Sequence, residues 1–184
     1  LFIKVLGVEF DSNIATLLYT GIMTDTGSFN YSNTSSDTLR VTAELVDYGA
    51  KTVEVCKKLN DTIKESKLKL LAKSIDNMEV FYDGKVRYTY VDYPTINSLG
   101  IHDEDAEGMT NYLRSVEGTE VAVYVRGKSD GSLKVSMRSN GNVDISKIAI
   151  SFGGGGHPRA AGYTMQDEIE VGKEKLIKAI GEML

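Results

Sequence analysis

Phe152-Gly153-Gly154-Gly155-Gly156-His157-Pro158-Arg159-Ala160-Ala161-Gly162 is the stretch from which the rest of the chain is read. Four consecutive glycines are costly, because each loses more backbone freedom on folding than any other residue. Such a run predicts a backbone that passes very close to something, or that takes φ values other residues refuse. A loop without side chains also exposes N–H groups, which can cradle an anion such as phosphate. His157 would add a donor or acid at the edge of that loop, and Arg159 a fixed positive charge. The competing reading is a flexible linker, but linkers are usually Gly/Ser-rich over longer spans. This run is boxed between apolar segments.

Working outward, Asp144 is positioned to cap a short helix from Ile145 to Phe152 that runs straight into the glycines. Before it, Glu120 to Val125 and Leu133 to Met137 alternate as strands, joined by Ser129-Asp130-Gly131. Beyond it, Gly162 to Met165 reads as a strand and Ile169 to Leu184 as an amphipathic helix with Val171, Leu176, Ile177 and Ile180 inward. Further upstream, Met78 to Tyr82 and Val86 to Val91 flank Asp83-Gly84, a strong hairpin signal. After Pro94 comes a loop or single helical turn. Glu104 to Val116 reads as a helix with Met109, Tyr112, Leu113 and Val116 on one face. The first 75 or so residues are almost wholly helical in pattern. Asp11-Ser12-Asn13 caps a run ending near Met23. Ser35-Ser36-Asp37 caps a helix carrying Leu39, Val41, Ala43, Leu45 and Val46. Thr52 to Leu59 forms a third, and Asp61 or Thr62 caps a fourth with Ile63, Leu68, Leu70, Leu71 and Ile75 inward. The resulting expectation is an α/β protein whose helical first part, residues 1–62, precedes a second part, 63–184, built on a sheet.

Composition narrows the function classes. The chain has 184 residues, 41% of them hydrophobic, with a net charge of −5. That is enough apolar content for one good core or two small ones. An acidic chain is a poor candidate for tight non-specific duplex binding, which needs a broad basic face. It suits a small nucleotide held by a few local cations. The single cysteine, Cys56, excludes an intrachain disulfide and any multi-cysteine metal site, and its apolar-periodic surroundings predict a core thiol. No apolar run approaches the roughly 18–20 residues of a membrane span. The first residues lack a positive cluster followed by a small-residue cleavage site, so a cytoplasmic location is expected. Leu1 to Val8 resembles the tail of an amphipathic helix already under way, which predicts that the sequence is part of a longer chain.

Three constellations could carry chemistry. Asp25 lies in Thr24-Asp25-Thr26-Gly27-Ser28, where a carboxylate could face a hard cation, or serve simply as an Asx-turn or cap. One aspartate cannot hold a catalytic metal, because such sites need several convergent ligands. Ser136-Met137-Arg138-Ser139, with Asn140 and Asn142, ends a strand. Alternation would put Ser136 and Arg138 on one face, and the arginine fork suits phosphate. The third is His157 after its glycines. His102 has no such context, and Glu107-Gly108-Met109-Thr110-Asn111 reads as a core helix that could otherwise line a base or ribose pocket.

Leu18-Tyr19-Thr20-Gly21-Ile22-Met23-Thr24-Asp25-Thr26-Gly27-Ser28-Phe29 resembles the fourth motif of the DHH phosphoesterases, and Phe152 to Gly162 resembles the hallmark of the associated DHHA1 domain. The text around Ser136 to Ser139 and Glu107-Gly108 is also similar. The branch most resembled is the bacterial nanoRNases, oligoribonucleases that also dephosphorylate 3′-phosphoadenosine 5′-phosphate. Phosphodiesterases of cyclic di-AMP or its linear product share these domains, and RecJ-type exonucleases are more distant.

The resemblance implies a truncated DHH domain over residues 1–62 and a substrate-binding DHHA1 domain with a mixed sheet over 63–184. It implies two manganese ions in the whole enzyme, held mainly by earlier motifs absent from this sequence, with Asp25 the one matching ligand. It implies a catalytic role for His157. The substrate-binding side would comprise Ser136, Arg138, Ser139, Gly153, Gly154, Gly155, Gly156, His157 and Arg159. Short RNA or a nucleotide phosphate is the implied substrate, with little or no hydrolysis by these residues alone, and a homodimer is left open. From another class, a non-catalytic nucleotide- or RNA-binding module stands as the alternative.

Overall fold

A computed structural model describes residues 10–184 apart from 32, 61, 103 and 104. The readings of Leu1–Val8 as a helix end, Asp61 as a cap and Glu104 as a helix start lie outside the described residues. The chain divides into two compact units, one ending at Ile63 and one spanning Lys64–Leu184.

In the first unit, helix α1 covers Ser12–Asp25, α2 Ser36–Asp47 and α3 Thr52–Asn60. The starts follow the sequence chemistry. The Asp11 carboxylate accepts from the N–H groups of Asn13 and Ile14 at 3.0 and 2.8 Å. Ser35 and Thr38 form a reciprocal capping box at the head of α2. Ala15, Tyr19, Met23, Leu45, Ala50 and Val55 make the core. Leu39 and Val46, two of the apolar residues α2 carries, are about half exposed, because its buried stripe runs through Thr42 and Leu45. Cys56 is half-buried rather than a core thiol, with its sulfur 3.7 Å from the Tyr19 hydroxyl.

The second unit begins with α4, Glu65–Asp76. Lys64, not Thr62, stands at its start, and the Thr62 hydroxyl donates instead to the Lys57 carbonyl. Of the expected inner positions Leu70 is buried, while Leu68 and Ile75 are about half exposed. Six strands follow: β1 Glu79–Phe81, β2 Val86–Val91, β3 Val121–Gly127, β4 Leu133–Ser139, β5 Gly155–His157 and β6 Ala160–Met165. Their order is β1-β2-β3-β4-β6-β5, parallel only between β2 and β3, so the sheet is mixed, as expected. The parallel step is bridged by α5, Tyr93–Ser98, and α6, Met109–Arg114. Helix α7, Ile145–Ser151, precedes the glycine run, and α8, Ile169–Gly181, closes the chain.

Register assigns every strand residue to a face. Val123, Val135, Met137, Ala161 and Tyr163 point to the side covered by α7 and α8, with Ile148 and Leu176. On the other side Val91 and Tyr124 pack under α4, α5 and α6, with Leu70, Ile96 and Met109. That second cover reaches β2 and β3 and, through α6, touches β4, but it leaves Lys134, Ser136, Arg138, Ala160 and Gly162 on the β4-β6-β5 half only half-buried. The expected long helix from Glu104 is cut to six residues. Gly108 has φ +88°, a left-handed value that no helix continues through, so Glu107 is released into a loop beside this open half.

Leu176 is fully buried against the sheet, and Leu68 about half exposed. Leu176→Ala should lower the free energy of unfolding by about 2–5 kcal/mol in denaturant titrations. Leu68→Ala should stay within about 0.5 kcal/mol.

Candidate functional site

The glycine run is placed by α7, and α7 is tied to the hairpin that follows it at both ends. At its start the Asp144 carboxylate caps Ser146 N–H at 3.1 Å, and Ile145 N–H donates to the Pro158 carbonyl at 3.0 Å. At its end Gly153 N–H donates to Ile150 O at 3.0 Å and Gly154 N–H to Ala149 O at 2.8 Å, the two bonds of a Schellman cap. Gly153 carries the left-handed φ, +79°, that this cap demands. Two of the N–H groups expected to cradle an anion are therefore consumed in ending a helix. The remaining residues are not a loop but an edge strand, β5, paired antiparallel with β6.

Close approach explains the next glycine. A Cβ on Gly154 would fall 2.2 Å from the Gly162 carbonyl oxygen and 2.4 Å from Tyr163 Cβ. Its neighbour differs: nothing lies within 4 Å of a Cβ built on Gly155. That open space belongs to a cleft of about 260 Å3 lined by Glu107, Gly108, Thr110, Lys134, Ser136, Arg138, Gly155, Ala160 and Gly162.

Strand register arranges the cleft in three rows across the sheet. Arg126 pairs with Lys134; Tyr124 with Ser136, then Gly162 and Gly155; Ala122 with Arg138, then Ala160 and His157. From Ser136 to Gly155 the middle row is a floor of small residues, with a cation on each side. Arg126 is 3% exposed, and its Nη2 lies 3.5 Å from Glu107 Oε1. Lys134 Nζ donates to the same oxygen at 2.9 Å. Lys134, then Arg126 and Arg138, hold the Glu107 carboxyl below the usual carboxylate range. It therefore stays ionised at neutral pH. Arg138 donates to its neighbour's carbonyl, Met137 O, at 2.9 Å and forms no ion pair among the described residues.

The sequence-predicted residues thus fall in different places. Ser136, Arg138 and Gly155 line the cleft. Exposed His157 shares the face of Arg138 through its register with Ala160. Ser139 does not belong with them: it is odd-numbered on β4, turns to the α7–α8 face and is fully buried. Gly153 and Gly154 serve the cap, and Gly156 packs on the β6 backbone. Arg159 lies at the hairpin turn, with its Nη2 3.4 Å from where a Cβ on Gly141 would stand. Arg126 and Lys134 escaped the sequence reading because isolated strand cations look like solvated edges. For Lys134 the signal was its even spacing with Ser136 and Arg138 along β4, whereas Arg126, on β3, joins them only through strand pairing.

Asp25, in the first unit, is the last residue of α1, and its Oδ2 accepts from Asn33 Nδ2 at 3.0 Å. It lines a separate cleft of about 350 Å3 with Thr26, Asn33, Ser35 and Asp37. Gly27, Ser28 and Phe29 follow with φ of +55, +57 and +66°. Left-handed conformations at Ser28 and Phe29 are strained. A carboxylate at a helix C-terminus also faces the negative end of the dipole. Among the described residues no three His, Cys, Asp or Glu side chains converge, so these residues do not by themselves assemble a manganese site.

The two central glycines separate fold from cleft. Gly154→Ala forces its methyl into β6 and should cost about 1–3 kcal/mol of stability. Gly155→Ala should leave the melting temperature unchanged while filling the cleft. Glu107 supplies a pH test. A lowered carboxyl contributes stability above its unfolded value and loses it as pH falls through the folded value. The melting-temperature gap between wild type and Glu107→Gln should therefore be small but positive at neutral pH, since the pair is partly exposed, and should vanish in acid.

Residues 83–184 match the family described as the DHHA1 domain. A "Bifunctional oligoribonuclease and PAP phosphatase NrnA" from Thermus thermophilus is 36% identical over 183 residues, covering 99% of this chain and 54% of that protein. Its namesake from Bacillus subtilis is 30% identical over 159 residues, covering 86% and 50% respectively. The chain thus spans about half the length of the curated relatives it matches. Among solved structures, an exopolyphosphatase-related protein from Bacteroides fragilis superposes with a TM-score of 0.87 at 26% identity, over 94% of this chain and 51% of that one. With that domain filling the second unit from the β1–β2 turn onward, the chain belongs to the DHHA1 domain family.

Proposed function

We propose that this chain is the substrate-gripping portion of a manganese-dependent phosphoesterase acting on short oligoribonucleotides and 3′-phosphoadenosine 5′-phosphate. The observation that carries the reading is the cleft on the open half of the sheet, where Arg138 and Lys134 flank a floor of Ser136, Gly162 and Gly155. Small residues let a flat, charged ligand approach the backbone, and an arginine fork suits phosphoryl oxygens. The oligoribonuclease and PAP phosphatase relatives support the same substrate class.

In this reading residues 1–62 are the end of a DHH domain, and Asp25 lends one carboxylate to a metal site completed by residues outside the chain. The helix-end placement of Asp25 favours a cation there, which would offset the dipole. What the chain's own residues do is bind and orient. Arg138 holds the phosphoryl group and Ser136 offers a hydroxyl beside it. His157, on the same face, presents an imidazole at the open edge that can move a proton to or from the leaving oxygen. Ser139 has no part, being buried on the other face.

Calorimetry of this chain against 5′-phosphorylated diadenylate, 3′-phosphoadenosine 5′-phosphate and cyclic di-AMP tests the reading. The first two should bind and Arg138→Ala should abolish both. Preference for cyclic di-AMP would transfer the assignment to a cyclic-dinucleotide phosphodiesterase. With manganese, this chain alone should turn over none of the three, whereas turnover would mean that its own residues complete the metal site. In the whole enzyme His157→Ala should slow hydrolysis about 100-fold with an unchanged melting temperature. Loss of folding would make the histidine structural.

A further inference from the structure

The cleft carries a feature that phosphate binding leaves unexplained: an ionised carboxylate stands among its cations. Glu107 Oε1 takes both the Lys134 ammonium and the buried Arg126 guanidinium. Its other oxygen, Oε2, accepts no hydrogen bond from a described residue, and the side chain is 58% exposed at the mouth of the cleft. A purely anion-binding pocket would gain nothing from this. A phosphate set beside Glu107 would be repelled, so the carboxylate divides the cleft into unlike ends. At one end Arg138 forms no ion pair among the described residues. At the other, the two cations are already matched by Glu107, and what remains on offer is a bare acceptor.

We propose that Glu107 recognises a ribose hydroxyl of the bound nucleotide, and so selects ribonucleotide over deoxyribonucleotide ligands, while Arg138 takes the phosphate. This rests on the function proposed above and deepens it. Lys134 and Arg138 stand four residues apart on β4, roughly 13 Å along a strand. A nucleotide lying over Ser136, Gly162 and Gly155 spans that length of strand. A carboxylate accepting from the 2′-hydroxyl is the chemistry by which other nucleotide sites read ribose. Lys134 and Arg126 act as positioning residues, because both engage Oε1, which keeps the carboxylate charged and leaves Oε2 without a donor among the described residues. Gly108 completes the device, since its left-handed backbone starts α6 one residue after Glu107 and leaves Glu107 outside the helix, free to reach the sheet.

The test is calorimetry of the whole chain with 5′-phosphorylated diadenylate in its ribose and 2′-deoxyribose forms, on wild type, Glu107→Gln and Glu107→Ala. Wild type should prefer the ribose form roughly tenfold or more. Glutamine, which keeps an uncharged acceptor, should retain part of that preference. Alanine should bring the two forms within about twofold of each other, and melting curves would verify that each variant folds. Equal ribose preference in all three proteins would overturn the proposal. So would a preference that follows the base, tested with diuridylate, since Glu107 would then read a base amine. Binding of both forms with no preference removes this inference alone. Binding of neither removes the proposed function beneath it.

Discussion

The approach of one backbone to another, at Gly154 against Gly162 and Tyr163, is the constraint on which the second unit depends. A Cβ at Gly154 would enter the β6 backbone, and one at Gly162 would fall 2.5 Å from the Val135 carbonyl. Three layers of chain, from the end of α7 through β6 to β4, are therefore stacked at distances that only glycine allows. The Schellman cap turns α7 into the glycine run, and Ile145 N–H bonded to Pro158 O fastens its other end. Helix, edge strand and hairpin turn become one rigid piece, and the cleft is the surface that piece leaves open. The entropy lost in ordering four glycines is recovered in geometry.

Charge follows from that geometry. Even-numbered residues of β4 share a face, so Lys134 and Arg138 must flank Ser136, and β3 adds Arg126 in the next position across. Placing three cations on one half-face beside a hydrophobic layer needs compensation, and Glu107 supplies it from a loop that a single left-handed glycine creates. The buried guanidinium of Arg126 is tolerable because the Glu107 carboxylate lies 3.5 Å from it. In the first unit Asp25 sits against its helix dipole, beside two strained residues. Both places depart from what stability alone would favour, which is where functional chemistry is expected.

Much of the architecture was legible in sequence. Caps at Asp11, Ser35 and Asp144, the Asp83-Gly84 turn and the alternating strands are local chemistry, and each element lies close to where its residues predict. Helix faces were read less well. Leu39, Val46, Leu68 and Ile75 are apolar at plausible spacings yet half exposed, because periodicity identifies a stripe and not the neighbour that covers it. The helix predicted from Glu104 failed for a different reason. A glycine inside a periodic run is tolerated as often as it terminates, and only the surrounding packing selects φ +88° at Gly108.

The sequence by itself determined the α/β class, the resemblance to the DHH and DHHA1 motifs, and the importance of the glycine–histidine stretch. All of these are written in short-range order. The tertiary structure alone decided what each glycine is for: a helix cap at Gly153, a backbone contact at Gly154, open floor at Gly155. It also decided that Ser139 faces the core, that Arg126 and Lys134 join Arg138, and that Glu107 stands among them. Glu107 meets cations 27 and 19 residues away only because the pairing of β3 with β4 sets Lys134 and Arg126 in one row beside its loop, and no spacing rule on a single segment encodes which strands become neighbours.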